Sequence, residues 1–344
     1  MALLVRVGAA FVDGAARRPE LRRFLADLAR RQAEQGRSKL YLELGGDPRN
    51  SISADELCTL LDPLYMAPFS TAPSVDLVVL FEVAGVSPAA ERLEDVTEAL
   101  GDYTSSEIAA INAVRTSRQF TPLTLLTSPV LPARSIPLEL PATSCRWPLY
   151  GRLCLGGTFD HIHPGHKILL TLGALTATRV VQVGISVRGS ACEFFILVAS
   201  QGVWTSTARH HHRHHHPDAL LAKKQFAEAL QPWEERARIV ERFAKALRPD
   251  LTWMMVPITA TEGSSVTCAE LEAIIVSAET SGAVEGINAA RQKRGHGPLA
   301  AVVIPLVMGG SSKVSSTDLR RLDLIGRRSG APAPAAPAPA DPSR

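Results

Sequence analysis

A short apolar strand, residues 153–155, runs directly into Gly156-Gly157-Thr158-Phe159-Asp160-His161-Ile162-His163-Pro164-Gly165-His166. An apolar-periodic helix follows, with Ile168, Leu169, Leu172 and Leu175 on one face. Few folds accommodate that order. A strand that ends in a tight glycine turn and gives way to a helix belongs to a βαβ unit, and its neighbours repeat the rhythm. Strand signals lie at 179–185, 251–256, 273–277 and 300–307, with helices from Pro232, over 279–293 and from Ser315. Strands alternating with helices predict an α/β fold around a parallel sheet.

Other parts of the chain are less regular. Residues 1–128 mix helical patterns at 17–35, 89–100 and 106–115 with one clear strand at 76–82, and they carry no catalytic motif. They are read as an N-terminal α/β extension of unknown role. The span 129–149 reads as a linker, since Pro129, Pro132, Pro137, Pro141 and Pro148 crowd it. A domain of alternating strands and helices is expected over 150–326 and a disordered Ala/Pro tail over 327–344.

Composition narrows the function classes. The chain has 344 residues, is 46% hydrophobic and carries a formal charge of +3. It can bury one large core or two ordinary ones, and nothing in its charge asks for nucleic acid or an acidic membrane. Its five cysteines (Cys58, Cys145, Cys154, Cys192, Cys268) are widely spaced, so reduced thiols fit better than a disulfide framework. No apolar run approaches the roughly 20 residues a membrane span needs. The N-terminus is apolar and then Arg-rich, but Asp13, Glu20, Asp27 and Glu34 interrupt it. An amphipathic helix explains it better than a transit peptide. A cytoplasmic location is expected, with mitochondrial association as the alternative.

The loop at 156–166 carries chemistry. Gly156 and Gly157 let a ligand approach the backbone, and Thr158 adds a hydroxyl at the strand's C-terminal edge, where α/β sheets bind ligands. Pro164 suits the first position of a helix, whose leading amides and positive dipole end suit a phosphate. His163 and His166 fall within one helical turn. Of ten histidines, three lie in this loop, six in a tract at 210–216, and His296 stands apart. A second constellation, Lys313-Val314-Ser315-Ser316-Thr317-Asp318-Leu319-Arg320, again offers a capped helix start with hydroxyls and cations.

The two elements together resemble the HxGH nucleotidylyltransferase superfamily, and in detail eukaryotic-type phosphopantetheine adenylyltransferases. The supporting pieces occur in the family's order: Gly156 to Asp160 with His166-Lys167; Asp218-Ala-Leu-Leu-Ala-Lys-Lys; Gln231-Pro-Trp-Glu-Glu-Arg; Val276-Ser-Ala-Glu-Thr with Gly282, Asn288 and Arg291; and Lys313-Val-Ser-Ser-Thr. The resemblance implies a Rossmann-like fold and adenylyl transfer from ATP to 4′-phosphopantetheine, giving dephospho-coenzyme A and pyrophosphate. By the same resemblance His166, His163, Thr158, Lys223 and Lys224 are catalytic. Gly156, Gly157, Phe159, Asp160, Gly165, Arg291, Ser315, Ser316, Thr317 and Arg320 hold the nucleotide. Arg236 is read instead as one side of a helix salt bridge. No protein-held metal is expected, and Mg²⁺ arrives with ATP.

ATP and 4′-phosphopantetheine are the expected partners, with other coenzyme A-pathway enzymes or a second copy of the chain left open. No P-loop occurs in the sequence, so the kinase activity of bifunctional relatives is not expected from it.

The chain departs from the pattern in two places. Where the family has Asp-x-x-Gly-Pro-Thr, it reads Thr259-Ala-Thr-Glu-Gly-Ser-Ser-Val-Thr267. An insert at 188–217, with six histidines in seven residues, separates a strand from the Lys223-Lys224 segment. That tract could bind Zn²⁺ or Ni²⁺, but it lacks spaced ligands and reads more simply as sequence that splicing normally removes. Two other readings stay open: a transferase for nicotinamide mononucleotide or a CTP-dependent one, and a non-catalytic scaffold subunit.

Overall fold

The computed structural model describes residues 1–7, 18–50, 52–101, 103–126, 147–187, 197–200, 203–206, 225–258, 263–305, 308–309, 312–313 and 315–328. The first half runs β1 (Ala2–Val7), α1 (Arg18–Glu34), β2 (Lys39–Leu44), α2 (Ala54–Thr71), β3 (Asp76–Phe81), α3 (Ala89–Arg92), β4 (Val96–Gly101), α4 (Ser105–Ser117) and β5 (Thr124–Leu126). The five strands are all parallel, in the order β3-β2-β1-β4-β5. Central strands of such a sheet are covered on both faces and favour unbroken apolar runs. Ala2-Leu3-Leu4-Val5 fits, and all four are buried.

The second half runs β6 (Tyr150–Gly157), α5 (Pro164–Thr176), β7 (Ala177–Ser186), β8 (Leu197–Ser200), β9 (Val203–Ser206), α6 (Trp233–Leu247), β10 (Thr252–Ile258), α7 (Gly263–Thr267), β11 (Ala273–Ser277), α8 (Ala283–Lys293), β12 (Ala300–Ile304), β13 (Met308–Gly309), β14 (Ser312–Lys313) and α9 (Ser316–Arg328). Its main sheet has the order β12-β11-β6-β7-β10-β8-β9. The first five of these pair in parallel, whereas β8 and β9 form an antiparallel hairpin on the edge of β10. The α/β fold expected from the sequence is therefore present in both halves. The histidine tract and Lys223-Lys224 lie outside the described residues.

Two sequence readings change in the first half. One strand was legible there, and the described residues form five. The span 89–100, read as a helix, is helical only over Ala89–Arg92 and then becomes β4. Leu93, Val96 and Leu100 imitate a helical spacing, yet β4 lies between β1 and β5, and sheet pairing overrides the local period.

Helix α5 is buried from Lys167 to its last residue, Thr176. Gly173 lets it close on the sheet, because a Cβ there would stand 2.9 Å from Leu155 Cδ2. Its other side meets α2, and α6 packs on β3, so one continuous apolar core joins the two halves. Among the described residues no helix is long and apolar enough to cross a membrane. Cys58, Cys154 and Cys268 are free thiols, and burial pushes Cys58 and Cys154 up to about 12.

Candidate active site

Strand β6 lies between β7, which follows it, and β11, reached only after the chain has crossed to β10. The chain reverses its direction of winding here, and in open α/β sheets the crevice at the carboxyl ends of such strands is where ligands bind. The loop 156–166 occupies that place.

Phe159 and His161 both adopt left-handed backbone, with φ of 51° and 48°. Such conformations are costly for non-glycine residues and persist where surrounding contacts fix them. Here the contacts are visible. Phe159 is completely buried. Its ring lies under Gly157, where a Cβ would come within 3.2 Å of it, and its centroid is 5.0 Å from that of His166. His163 is the N-cap of α5 and Pro164 its first residue, as the sequence predicts. The His163 and His166 rings stack at 3.9 Å. Both side chains are half-buried, as are Thr158 and Gly165, while Gly156 is exposed. Two imidazoles thus converge beside the first turn of a helix whose leading amides have no intrahelical acceptor.

Asp160 does not face that space. It is completely buried and accepts from Arg320 Nη1 at 2.8 Å and from the Gln231 amide at 3.0 Å, with His161 Nδ1 at 3.0 Å from its Oδ1. Burial alone would raise this carboxyl, but nearby His161 and the hydrogen bonds from Arg320 and Gln231 outweigh it and hold Asp160 below its ordinary value. Arg320, buried as well, also donates to Gln225 O and Thr317 Oγ1, both at 3.0 Å. The two residues read from the sequence as nucleotide ligands are therefore bound to each other. Their pairing fastens the start of α9, with half-buried Ser315, Ser316 and Thr317, to the histidine loop. Ser315 caps α9, accepting from the Asp318 amide at 3.3 Å.

Arg291 is also spoken for. It is completely buried, and its Nε, Nη1 and Nη2 donate to the carbonyls of Gly297, Ser265, Cys268, Ala269 and Leu271. A guanidinium has five N–H donors, and all five are used on backbone. Arg291 ties α8 to the α7–β11 connection and has no donor left for a triphosphate. Arg236, read as a helix salt bridge, instead donates to Thr158 O and Gln231 O.

Gln231 is a residue that sequence reasoning passed over. Its amide binds Asp160, its Oε1 accepts from the His161 amide at 2.9 Å, and its carbonyl accepts from Arg236 at 2.9 Å. The Gln231-Pro-Trp-Glu-Glu-Arg piece was the available signal, and its physical content is to stitch the start of α6 to the loop. Among the described residues, no group of three His, Cys, Asp or Glu side chains is placed to hold a metal ion.

No protein-family model matches the chain. It is 35% identical over 174 residues to a phosphopantetheine adenylyltransferase of Saccharomyces cerevisiae, covering 49% of this chain and 47% of that one. It is 31% identical over 172 residues to the phosphopantetheine adenylyltransferase of Methanopyrus kandleri, covering 50% of this chain and 89% of that one. For the enzyme of that name from Thermococcus kodakarensis the figures are 27% over 176 residues, 51% and 87%. The chain spans about half the length of the yeast relative and most of the archaeal ones. Among solved structures, a protein of unknown function from Archaeoglobus fulgidus aligns with 45% of this chain and 99% of its own at 21% identity. Its TM-score of 0.32 is too low to bear on the fold.

Proposed function

This chain belongs to the phosphopantetheine adenylyltransferase family, and we propose that it transfers the adenylyl group of ATP to 4′-phosphopantetheine, giving dephospho-coenzyme A and pyrophosphate. The observation that carries this reading is the stacked His163–His166 pair at the start of α5, in the crevice where the sheet changes direction.

The attacking group is a phosphate oxygen, already ionised near neutral pH, so the reaction needs no general base. It needs alignment of that oxygen with the α-phosphorus and charge stabilisation as pyrophosphate leaves. His166 and His163 donate to the transferring phosphate, joined by the first-turn amides of α5. Thr158 orients the acceptor phosphate, and Gly156 and Gly157 allow the nucleotide to lie against β6. Ser315, Ser316 and Thr317, held beside the loop by Arg320, bind the triphosphate. Lys223 and Lys224 are assigned between the two phosphates by family resemblance alone. A divalent cation such as Mg²⁺ arrives with ATP.

The test is pyrophosphate release from ATP by the purified 344-residue chain, with 4′-phosphopantetheine, nicotinamide mononucleotide and no acceptor as parallel arms. Release that depends on 4′-phosphopantetheine supports the reading. Release with nicotinamide mononucleotide instead moves the acceptor, and no release in any arm favours a scaffold.

A further inference from the structure

The two halves of this chain repeat one unit. Read from the same end, the strand orders β5-β4-β1-β2-β3 and β12-β11-β6-β7-β10 are identical, with helices in matching positions. A detailed contact repeats too. Asn112 and Leu123 exchange two hydrogen bonds of 3.1 and 2.6 Å between side chain and backbone, and Asn288 and Leu299 do the same at 3.1 and 2.8 Å. Three residues after each asparagine, Arg115 and Arg291 are fully buried and spend their guanidinium donors on five backbone carbonyls. A left-handed residue, Gln119 (φ 62°) or Gly295 (φ 73°), turns the chain at the same offset. The segments behind these contacts, Ile111-Asn-Ala-Val-Arg and Ile287-Asn-Ala-Ala-Arg, align without gaps.

The first unit lacks the chemistry of the second. It contains no histidine. Near the carboxyl ends of β1 and β2 it carries a buried ion pair, Arg6 Nε to Glu43 at 2.9 Å, with the Tyr103 ring 4.1 Å from the guanidinium. Besides the packing of β3 on α6, it contacts one face of α5 through side chains. Lys167, next to His166, reaches Asp76 Oδ1 at 2.6 Å and Leu77 O at 2.8 Å. One turn on, Thr171 Oγ1 lies 3.4 Å from Tyr65 Oη, and near the helix end Arg49 donates to Leu175 O at 3.3 Å.

We infer that residues 1–126 are a non-catalytic copy of the transferase unit whose task is to seat α5, with Asp76 acting through Lys167 as the positioning residue for His163 and His166. The helix start must be held to a fraction of an ångström for both imidazoles to meet one phosphate, and errors of about 1 Å cost up to roughly 100-fold in rate. The inference rests on the adenylyl-transfer reading for its kinetics but not for its structural content.

The test uses the full chain with Asp76→Asn and Asp76→Glu. Asp76→Asn should lower kcat about tenfold while KM for ATP stays within about twofold, because the seat acts on transition-state alignment. Asp76→Glu should recover most of the rate. Backbone hydrogen exchange over residues 165–171 should be faster in Asp76→Asn than in the parent chain, whether or not the protein turns over ATP. Unchanged exchange there overturns the seat. Faster exchange with kcat within about twofold of the parent overturns its link to the chemistry. Should the parent release no pyrophosphate, the transferase reading fails and the exchange arm alone decides the seat.

Discussion

Replacing Arg320 by alanine leaves the Asp160 carboxylate buried without its cation. Removing one partner of a buried pair typically costs about 3–5 kcal/mol, mostly from the charge left behind. Asp160 keeps the Gln231 amide and His161, which places the cost near the lower end, about 3 kcal/mol. At about 2–4 °C per kcal/mol for domains of this size, Arg320→Ala should melt about 6–12 °C below the parent chain. The pH dependence follows from the carboxyl. In the parent, Asp160 is held below its ordinary value of 3.8, so its contribution is complete above that value and is lost as pH falls through the lower folded one. In Arg320→Ala the carboxyl has lost one of the bonds that hold it down. It takes up a proton at higher pH than in the parent, and the gap between the two proteins narrows on acidification. Adding Asp160→Asn should recover part of the loss at neutral pH. Circular dichroism melts from pH 7 to pH 4 read all three effects. An Arg320→Ala chain melting within about 2 °C of the parent at pH 7 would refute the claim that this pair holds α9 against the loop.

Three further outcomes are expected. His166→Ala should lower kcat for pyrophosphate release by a factor of roughly 100 or more, the scale of a lost oxyanion donor, and an unchanged rate would take His166 out of the site. Arg291→Lys should destabilise by about 3 kcal/mol, because an ammonium cannot reproduce a planar five-donor fork; its KM for ATP below the melting range should match the parent, and a large rise there would restore Arg291 as a nucleotide ligand. Gly173→Ala should cost about 1–3 kcal/mol in a denaturant melt, since its Cβ would press on Leu155 Cδ2 at 2.9 Å; a neutral result would mean that α5 moves away from β6 freely.

What could be read from the linear chain was what neighbours in sequence decide. The β6–loop–α5 unit was legible because the apolar strand, the paired glycines, Pro164 and the periodic leucines act within one continuous stretch, residues 153–175. The parallel sheet of the second half followed from the same kind of signal repeated. The candidate residues His163 and His166 came with it, and their rings stack at the start of α5. The first half was mostly illegible. Its strands are short, and the spacing of Leu93, Val96 and Leu100 reads as a helix until β1 and β5 supply hydrogen-bonding edges on both sides. The repeat is carried by topology and one buried Asn–Arg clasp, which pairing across the sheet and burial reveal.

The tertiary structure alone decided what the charged residues do. A buried arginine and an arginine awaiting a phosphate look the same in a sequence. Asp160 and Arg320 stand 160 positions apart, and Lys167 finds Asp76 across 91. Burial removes these groups from water at a cost that only a partner can offset, and which partner is near depends on how the sheets and helices have packed. Local periodicity and turn chemistry therefore settled where the glycine turn and the start of α5 lie, while packing settled which charged side chains are consumed in holding the crevice together.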